Sequence, residues 1–285
     1  MAWRHAVRKV CLGALLGCAW AWAQSPPPKS QGPGDLMVIP VRVILEGRQR
    51  AAEVMLKNQG KEPATYRVFV KEMTMTPLGQ LEDREKAPGE TTAADLIRYS
   101  PHQVELAPGE AQTVRIKLRK PDGLKDGEYR SHMVFHALPP AAAPQPVGTQ
   151  DKALAIRITP VYGISIPVIV RHGETSASAA LSGLRLWYPE AAGSPPVLGM
   201  KLERKGNRSL VGDFVVTLES GSTLKKGTVL TQINGVSVYP NLDFREVNLG
   251  LFVEKGASLQ GARLKVVFTP RDIKQDPIVS FFDVP

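Results

Sequence analysis

Residues 151–172 read DKALAIRITPVYGISIPVIVRH. The even positions Leu154, Ile156, Ile158, Tyr162, Ile164, Ile166, Val168 and Val170 are bulky and apolar, broken only by Pro160. Small or polar residues stand at Ala153, Ala155, Arg157, Thr159, Gly163, Ser165 and Arg171. Alternation with a period of two marks a strand with one buried face. Few strands run this long, so this one serves more than one neighbour or leads from one domain into the next. It emerges from PPAAAPQPVGTQ at 139–150, a Pro/Ala loop that cannot add a regular ladder. It ends at Arg171-His172-Gly173-Glu174, which reads as a domain boundary.

Upstream, short alternating runs follow one another between turn signals. Leu36 to Leu45 is apolar but carries Pro40, which implies an edge position or a switch between sheets. Ala52, Val54 and Leu56 share one face of the next run, and Tyr66, Val68 and Val70 mark a third. Leu78 to Thr92 is polar and predicts a loop, and Asp95 to Tyr99 is a short apolar piece. Val104 to Leu106 leads to the turn dipeptide Pro108-Gly109, after which Val114, Ile116 and Leu118 alternate. Asp126 to Ser131 opens a strand running through Met133 and Phe135. About seven strands without a convincing helix predict an immunoglobulin-like sandwich. Tyr129 stands where such a domain places a tyrosine corner, its hydroxyl bonding the backbone just upstream.

Downstream the pattern stays β-like. Val197 to Leu202 and Phe214 to Leu218 alternate, Asn234-Gly235 predicts a hairpin, and Leu264 to Phe268 and Ile278 to Phe282 close the chain. The predicted fold is all-β: two immunoglobulin-like β-sandwich domains at 35–172 and 173–285, after a lead-in at 24–34 and a cleaved signal peptide at 1–23. In that peptide Arg4, Arg8 and Lys9 precede an apolar run from Val10 to Trp22, and Ala21-Trp22-Ala23 fits the cleavage pattern. A competing reading takes Leu15-Leu16-Gly17-Cys18 as a lipobox, with Cys18 as the lipid-anchored residue.

Composition narrows the function. Of 285 residues 43% are hydrophobic and 22% charged, a globular balance. Both cysteines, Cys11 and Cys18, lie in the leader, so the processed chain has no disulfide, thiolate nucleophile or cysteine metal site. Losing the leader lowers the net charge from +9 to +6, because it takes three basic residues and no acidic one. Aromatics amount to 6% and do not interleave with basic runs, which argues against nucleic acid. His132 and His136 fall on one strand face, about 13 Å apart, too far to share a metal, and predict polar-face histidines. No G-x-S-x-G, H-E-x-x-H or P-loop motif is present, so neither an enzyme nor a small-molecule cofactor is expected.

The first domain resembles the periplasmic chaperones of the chaperone–usher pilus pathway. Val41-Arg42-Val43-Ile44-Leu45-Glu46-Gly47 is similar to their first-strand motif. Ala52 to Asn58 is similar to their second strand, and Pro101 through Pro108-Gly109 to Val114-Arg115-Ile116 to their P…L-x-P-G…V-R segment. Leu124 to Pro140 is similar to their sixth strand and its proline exit.

The resemblance implies fimbrial assembly in the periplasm, with pilus subunits and an outer-membrane usher as partners. Such subunits lack a strand, and the chaperone lends its seventh by donor-strand complementation, which makes Leu154, Ile156 and Ile158 the donor side chains. The family holds the subunit's C-terminal carboxylate with an arginine on the first strand and a lysine on the seventh. Arg42 matches the arginine. Ser165 falls at the lysine's place, and the family's Arg-Pro exit is missing. The alternative is a structural or adhesive envelope protein anchored at Cys18, with its seventh strand buried in its own domain.

Overall fold

The computed structural model describes residues 35–139 and 161–285, apart from Ala192, Ser222 and Lys255. The expected leader, including Cys18, lies outside the described residues. The first sandwich contains β1 (Leu36–Ile39), β2 (Val43–Leu45), β3 (Ala51–Asn58), β4 (Ala64–Lys71), β5 (Met73–Met75), β6 (Leu81–Asp83), α1 (Ala93–Leu96), β7 (Ile97–Ser100), β8 (Gln103–Leu106), β9 (Ala111–Leu118), β10 (Gly127–Ala137) and β11 (Gly163–His172). One sheet runs β1-β3-β9-β7 and faces another running β2-β11-β10-β4-β8. The alternation read from the sequence is what closes them. Val54, Leu56, Val114 and Ile116 meet Tyr66, Val68, Met133, Phe135, Ile166, Val168 and Val170 in one core.

Pro40 separates β1, which pairs with β3, from β2, which pairs in parallel with β11. A residue without an N–H cannot continue a ladder, so the chain changes sheets there. The Tyr129 hydroxyl donates to the Lys125 carbonyl at 2.7 Å, completing the tyrosine corner. Replacing Tyr129 with phenylalanine is expected to lower the unfolding free energy by about 1 kcal/mol, one hydrogen bond's net contribution, in urea denaturation.

The predicted loop after Leu78 is partly a hairpin, because β6 pairs with β5. All three residues of β6 are exposed, so no buried face wrote an alternation into the sequence. The apolar piece near Leu96 begins as the short helix α1, with Thr92 and Asp95 forming a capping box.

The second sandwich contains β12 (Ala177–Trp187), β13 (Val197–Gly206), β14 (Leu210–Ser220), β15 (Val229–Val238), β16 (Phe244–Gly250), β17 (Arg263–Pro270) and β18 (Ile278–Asp283). Its sheets run β12-β13-β16 and β15-β14-β17-β18. Phe214 and Phe268 pack with tilted rings in its core, centroids 4.8 Å apart. Asn234-Gly235 does not turn the chain into a hairpin. Both residues lie inside β15, opposite Asp213 alone, as a bulge. Gly235 takes φ +72°, and its N–H donates to the Asp213 carboxylate at 2.8 Å. The bulge thus uses the same left-handed conformation that a hairpin turn would have needed. Both sandwiches belong to one compact unit, Gly32–Pro285.

Candidate binding edge and interdomain cleft

The exposed edge of β11 follows from ladder parity. The Ala137 N–H donates to the Tyr162 carbonyl at 3.0 Å, in register with the antiparallel β10–β11 pair. Even-numbered residues of β11 therefore turn their main-chain groups toward β10, and Gly163, Ser165 and Pro167 turn theirs away. On that far side β2 covers only Val168 to Val170. Among the described residues, the edge from Gly163 to Pro167 has no partner strand. Its side chains alternate still: Ile166 is buried, Ile164 half-buried and Ser165 exposed. Just upstream Val161 and Tyr162 are 38% and 52% exposed, and Ile39 and Val41, at the change of sheets, are 48% and 74% exposed. The expected donor residues Leu154, Ile156 and Ile158 lie outside the described residues.

The outer face of β2, β11 and β10 meets the second sandwich. Arg171, only 3% exposed, organises the junction. Its Nε donates to Glu128 Oε2 at 3.1 Å, its Nη1 to Glu46 Oε2 at 3.0 Å and its Nη2 to Asp272 Oδ2 at 2.5 Å. Arg208 adds a bond to the same Asp272 oxygen at 3.1 Å. Glu128 also accepts from Arg130 Nη2 at 2.7 Å and from the Ser209 N–H and hydroxyl at 3.1 and 2.9 Å. Burial alone would raise the Glu128 carboxyl, but Arg130, Arg171 and Ser209 outweigh it and hold the group below the ordinary glutamate range.

His132 is fully buried and packs against the second sandwich, contrary to the polar-face position its sequence predicts. Its Nε2 lies 3.0 Å from the Tyr239 hydroxyl, and the Arg130 guanidinium covers the Tyr239 ring at 3.7 Å. Burial, then Arg130 and Lys71, push the imidazole down to about 4, so it is neutral near pH 7. The strand face was read correctly; the domain that covers it could not be seen from the strand. His136, four residues on, is half-buried and lies near the Phe69 ring.

Arg42 reaches across to the second sandwich, its Nη2 donating to the Ser237 hydroxyl at 2.8 Å. Ser165 does not join it. One step before the first β2–β11 pair stand Arg42 and Pro167, and Ser165 lies two residues farther along, its hydroxyl 3.7 Å from Met73 Sδ. The β5–β6 hairpin adds a second crossing: the Asn241 amide donates to the Met75 carbonyl at 3.0 Å and the Glu246 N–H to the Pro77 carbonyl at 2.7 Å.

A cavity of about 460 Å³ at this junction is walled in part by Arg84, Glu90, Thr92, Glu128, Arg130 and Tyr239. Arg84 pairs with Glu90 at 2.6 Å and Arg130 with Glu128, an ion-paired seam rather than groups poised for proton transfer. Among the described residues, no three His, Cys, Asp or Glu side chains gather to hold a metal.

Two sandwiches and, among the described residues, a strand edge without a partner define a class: a two-domain β-sandwich protein with an exposed edge beside an ion-paired domain junction. Residues 35–171 match the family described as "Pili and flagellar-assembly chaperone, PapD N-terminal domain". Over that stretch the first domain is similar to the N-terminal domain of the pilus-assembly chaperones. No curated protein matches the chain in sequence. Solved structures include the CsuC–CsuE chaperone–tip adhesion subunit pre-assembly complex of Acinetobacter baumannii, 16% identical, covering 86% of this chain and 97% of that one with a TM-score of 0.45. The SafA pilin complex with the SafB chaperone of Salmonella enterica gives 15% identity, 87% and 97% coverage and a TM-score of 0.42. Likenesses this loose carry no further argument, and the assignment rests on the family match.

Proposed function

We propose that this chain is a periplasmic chaperone that holds pilus or fimbrial subunits by donor-strand complementation and delivers them to an outer-membrane usher. The open edge of β11 from Gly163 to Pro167 carries this reading. An unpaired edge with alternate apolar side chains supplies both parts of strand addition, main-chain hydrogen bonds for affinity and side chains for a groove. Leu154, Ile156 and Ile158, the proposed donor side chains, precede this edge in sequence. A sandwich protein of purely structural role has no use for such an edge, which invites aggregation. Export through residues 1–23 brings the chain to the compartment where its clients pass.

Ile156→Asp with Ile158→Asp is expected to leave the protein folded by circular dichroism and unable to retain subunits. Normal co-purification of subunits with this double variant would end the donor-strand reading. Arg42→Ala is expected to abolish the subunit complex while barely changing thermal stability, because the side chain makes one part-buried hydrogen bond in the free protein. Unchanged subunit retention by that variant would remove Arg42 from the site.

A further inference from the structure

We propose that the cavity beside the connection between the two sandwiches binds a tetrahedral oxyanion, a phosphate or sulfate group either free or carried by a lipid headgroup. Lys120 and Arg50 supply the charge, and His172 a further donor. The proposal is independent of the open edge of β11.

The cavity holds about 430 Å³, and three separate stretches wall it: Glu46, Gly47 and Arg50 after β2, Lys120 after β9, and the end of β11 with the residues that follow, as far as Thr175. Gly47 and Gly173 take φ +57° and +60° and bring bare main chain to the wall, so neither projects a side chain into the space.

Lys120 is held in place on that wall. Its Nζ donates to the Arg171 carbonyl at 3.0 Å and lies 3.4 Å from His172 Nδ1. An ammonium can only donate, so Nδ1 is the accepting nitrogen and the ring proton sits on Nε2. That Nε2–H and the third ammonium hydrogen remain as donors. Arg50 Nη1 donates to the Gly47 and Gln49 carbonyls at 3.1 and 3.2 Å, which fixes the guanidinium and leaves its other N–H groups for a ligand.

The charge on this wall is unbalanced. Arg171 is answered by Glu46, Glu128 and Asp272, and Glu46, the one acid lining the cavity, is thereby occupied. Among the described residues, Lys120, Arg50 and His172 have no carboxylate within 4.0 Å. Burial, then Arg50, pulls the Lys120 ammonium below the ordinary lysine value, so the two cations feel each other. Like charges kept together at a concavity repel unless an anion joins them. Donors from three chain stretches suit oxygens disposed tetrahedrally, whereas a carboxylate offers two oxygens in one plane.

The test is calorimetry of the full chain with phosphate, sulfate and acetate, each against chloride at equal ionic strength near pH 7. Phosphate and sulfate are expected to bind at one site, with acetate at least about tenfold weaker. Lys120→Met and Arg50→Met should each weaken phosphate about tenfold, the scale of one charged hydrogen bond. Glu46→Gln should tighten it about threefold, a gain that a misfolded variant cannot give. Lys57→Met, which removes the same charge at the end of β3 remote from Arg50, should leave it unchanged. A second arm sediments the chain with vesicles of equal parts phosphatidylcholine and phosphatidic acid. Vesicle binding weakened by Lys120→Met and not by Lys57→Met assigns the site to a lipid headgroup; phosphate binding without it assigns the site to the free anion. Acetate binding as tightly as phosphate overturns the tetrahedral class. If neither phosphate nor the vesicles distinguish Lys120→Met from Lys57→Met, the site itself is overturned.

Discussion

Arg171→Ala is expected to lower the unfolding free energy by about 3 kcal/mol, the low end for removing one member of a buried ion pair, because its two carboxylates keep other partners. The Glu128 side chain is fully buried and Asp272 partly so, and Arg171 bridges the two. Removing the guanidinium leaves Glu128 with Arg130 and Ser209, and Asp272 with Arg208. The loss should therefore exceed that of any surface ion pair here, such as Arg115–Glu53, whose removal is expected to change stability by under about 1 kcal/mol. Urea denaturation followed by tryptophan fluorescence measures both. A loss below about 1 kcal/mol for Arg171→Ala would show that the network contributes no more than a solvated pair. The same bonds make the junction acid-sensitive. The Glu128 carboxyl titrates below its unfolded range, so its contribution is complete above that range and disappears as pH falls through the lowered folded value.

His132 produces a second acid transition, at higher pH. Its folded pKa of about 4 lies below the free histidine value of about 6.5. Between those values the unfolded chain binds a proton that the folded chain refuses. Stability is therefore complete above about pH 6.5 and declines as pH falls toward 4, by roughly 3 kcal/mol in all. The cause is structural: the imidazole lies under the second sandwich against Tyr239, with Arg130 and Lys71 adding positive charge. Denaturation series at pH 7, 6, 5 and 4.5 should show this decline in the native chain and a much flatter profile in His132→Gln. An equal slope in both would assign the loss to other groups. Because this window lies above the carboxylate range, it separates from the Glu128 effect.

Much of the fold was legible because a half-buried strand writes its buried face into the sequence. Val54 and Leu56, Val114 and Ile116, and Ile166, Val168 and Val170 were placed by alternation alone, and each lies in the first core. The tyrosine corner was legible because its hydrogen bond spans four residues. Where two structures share one local chemistry, the reading failed. Asn234-Gly235 supplies a left-handed conformation to a bulge as readily as to a hairpin turn. The exposed strand β6 left no periodic trace.

The site divides along the same line. Arg42 was named from a first-strand motif, and it lies just before β2. Its partner could not be found that way: Ser237 lies 195 residues away in sequence, on β15 of the other sandwich. Alternation reports which face of a strand avoids water, and it carries no information about which distant surface covers that face. Thus local pattern placed the two all-β sandwiches and the strand that ends at His172. It took the assembled fold to reveal that His132 is buried, that Arg171 joins the sandwiches, that Pro167 rather than Ser165 stands beside Arg42, and that, among the described residues, the edge above it has no partner strand. Those are contacts between surfaces, set by how two independently closed cores dock, and no local pattern encodes them.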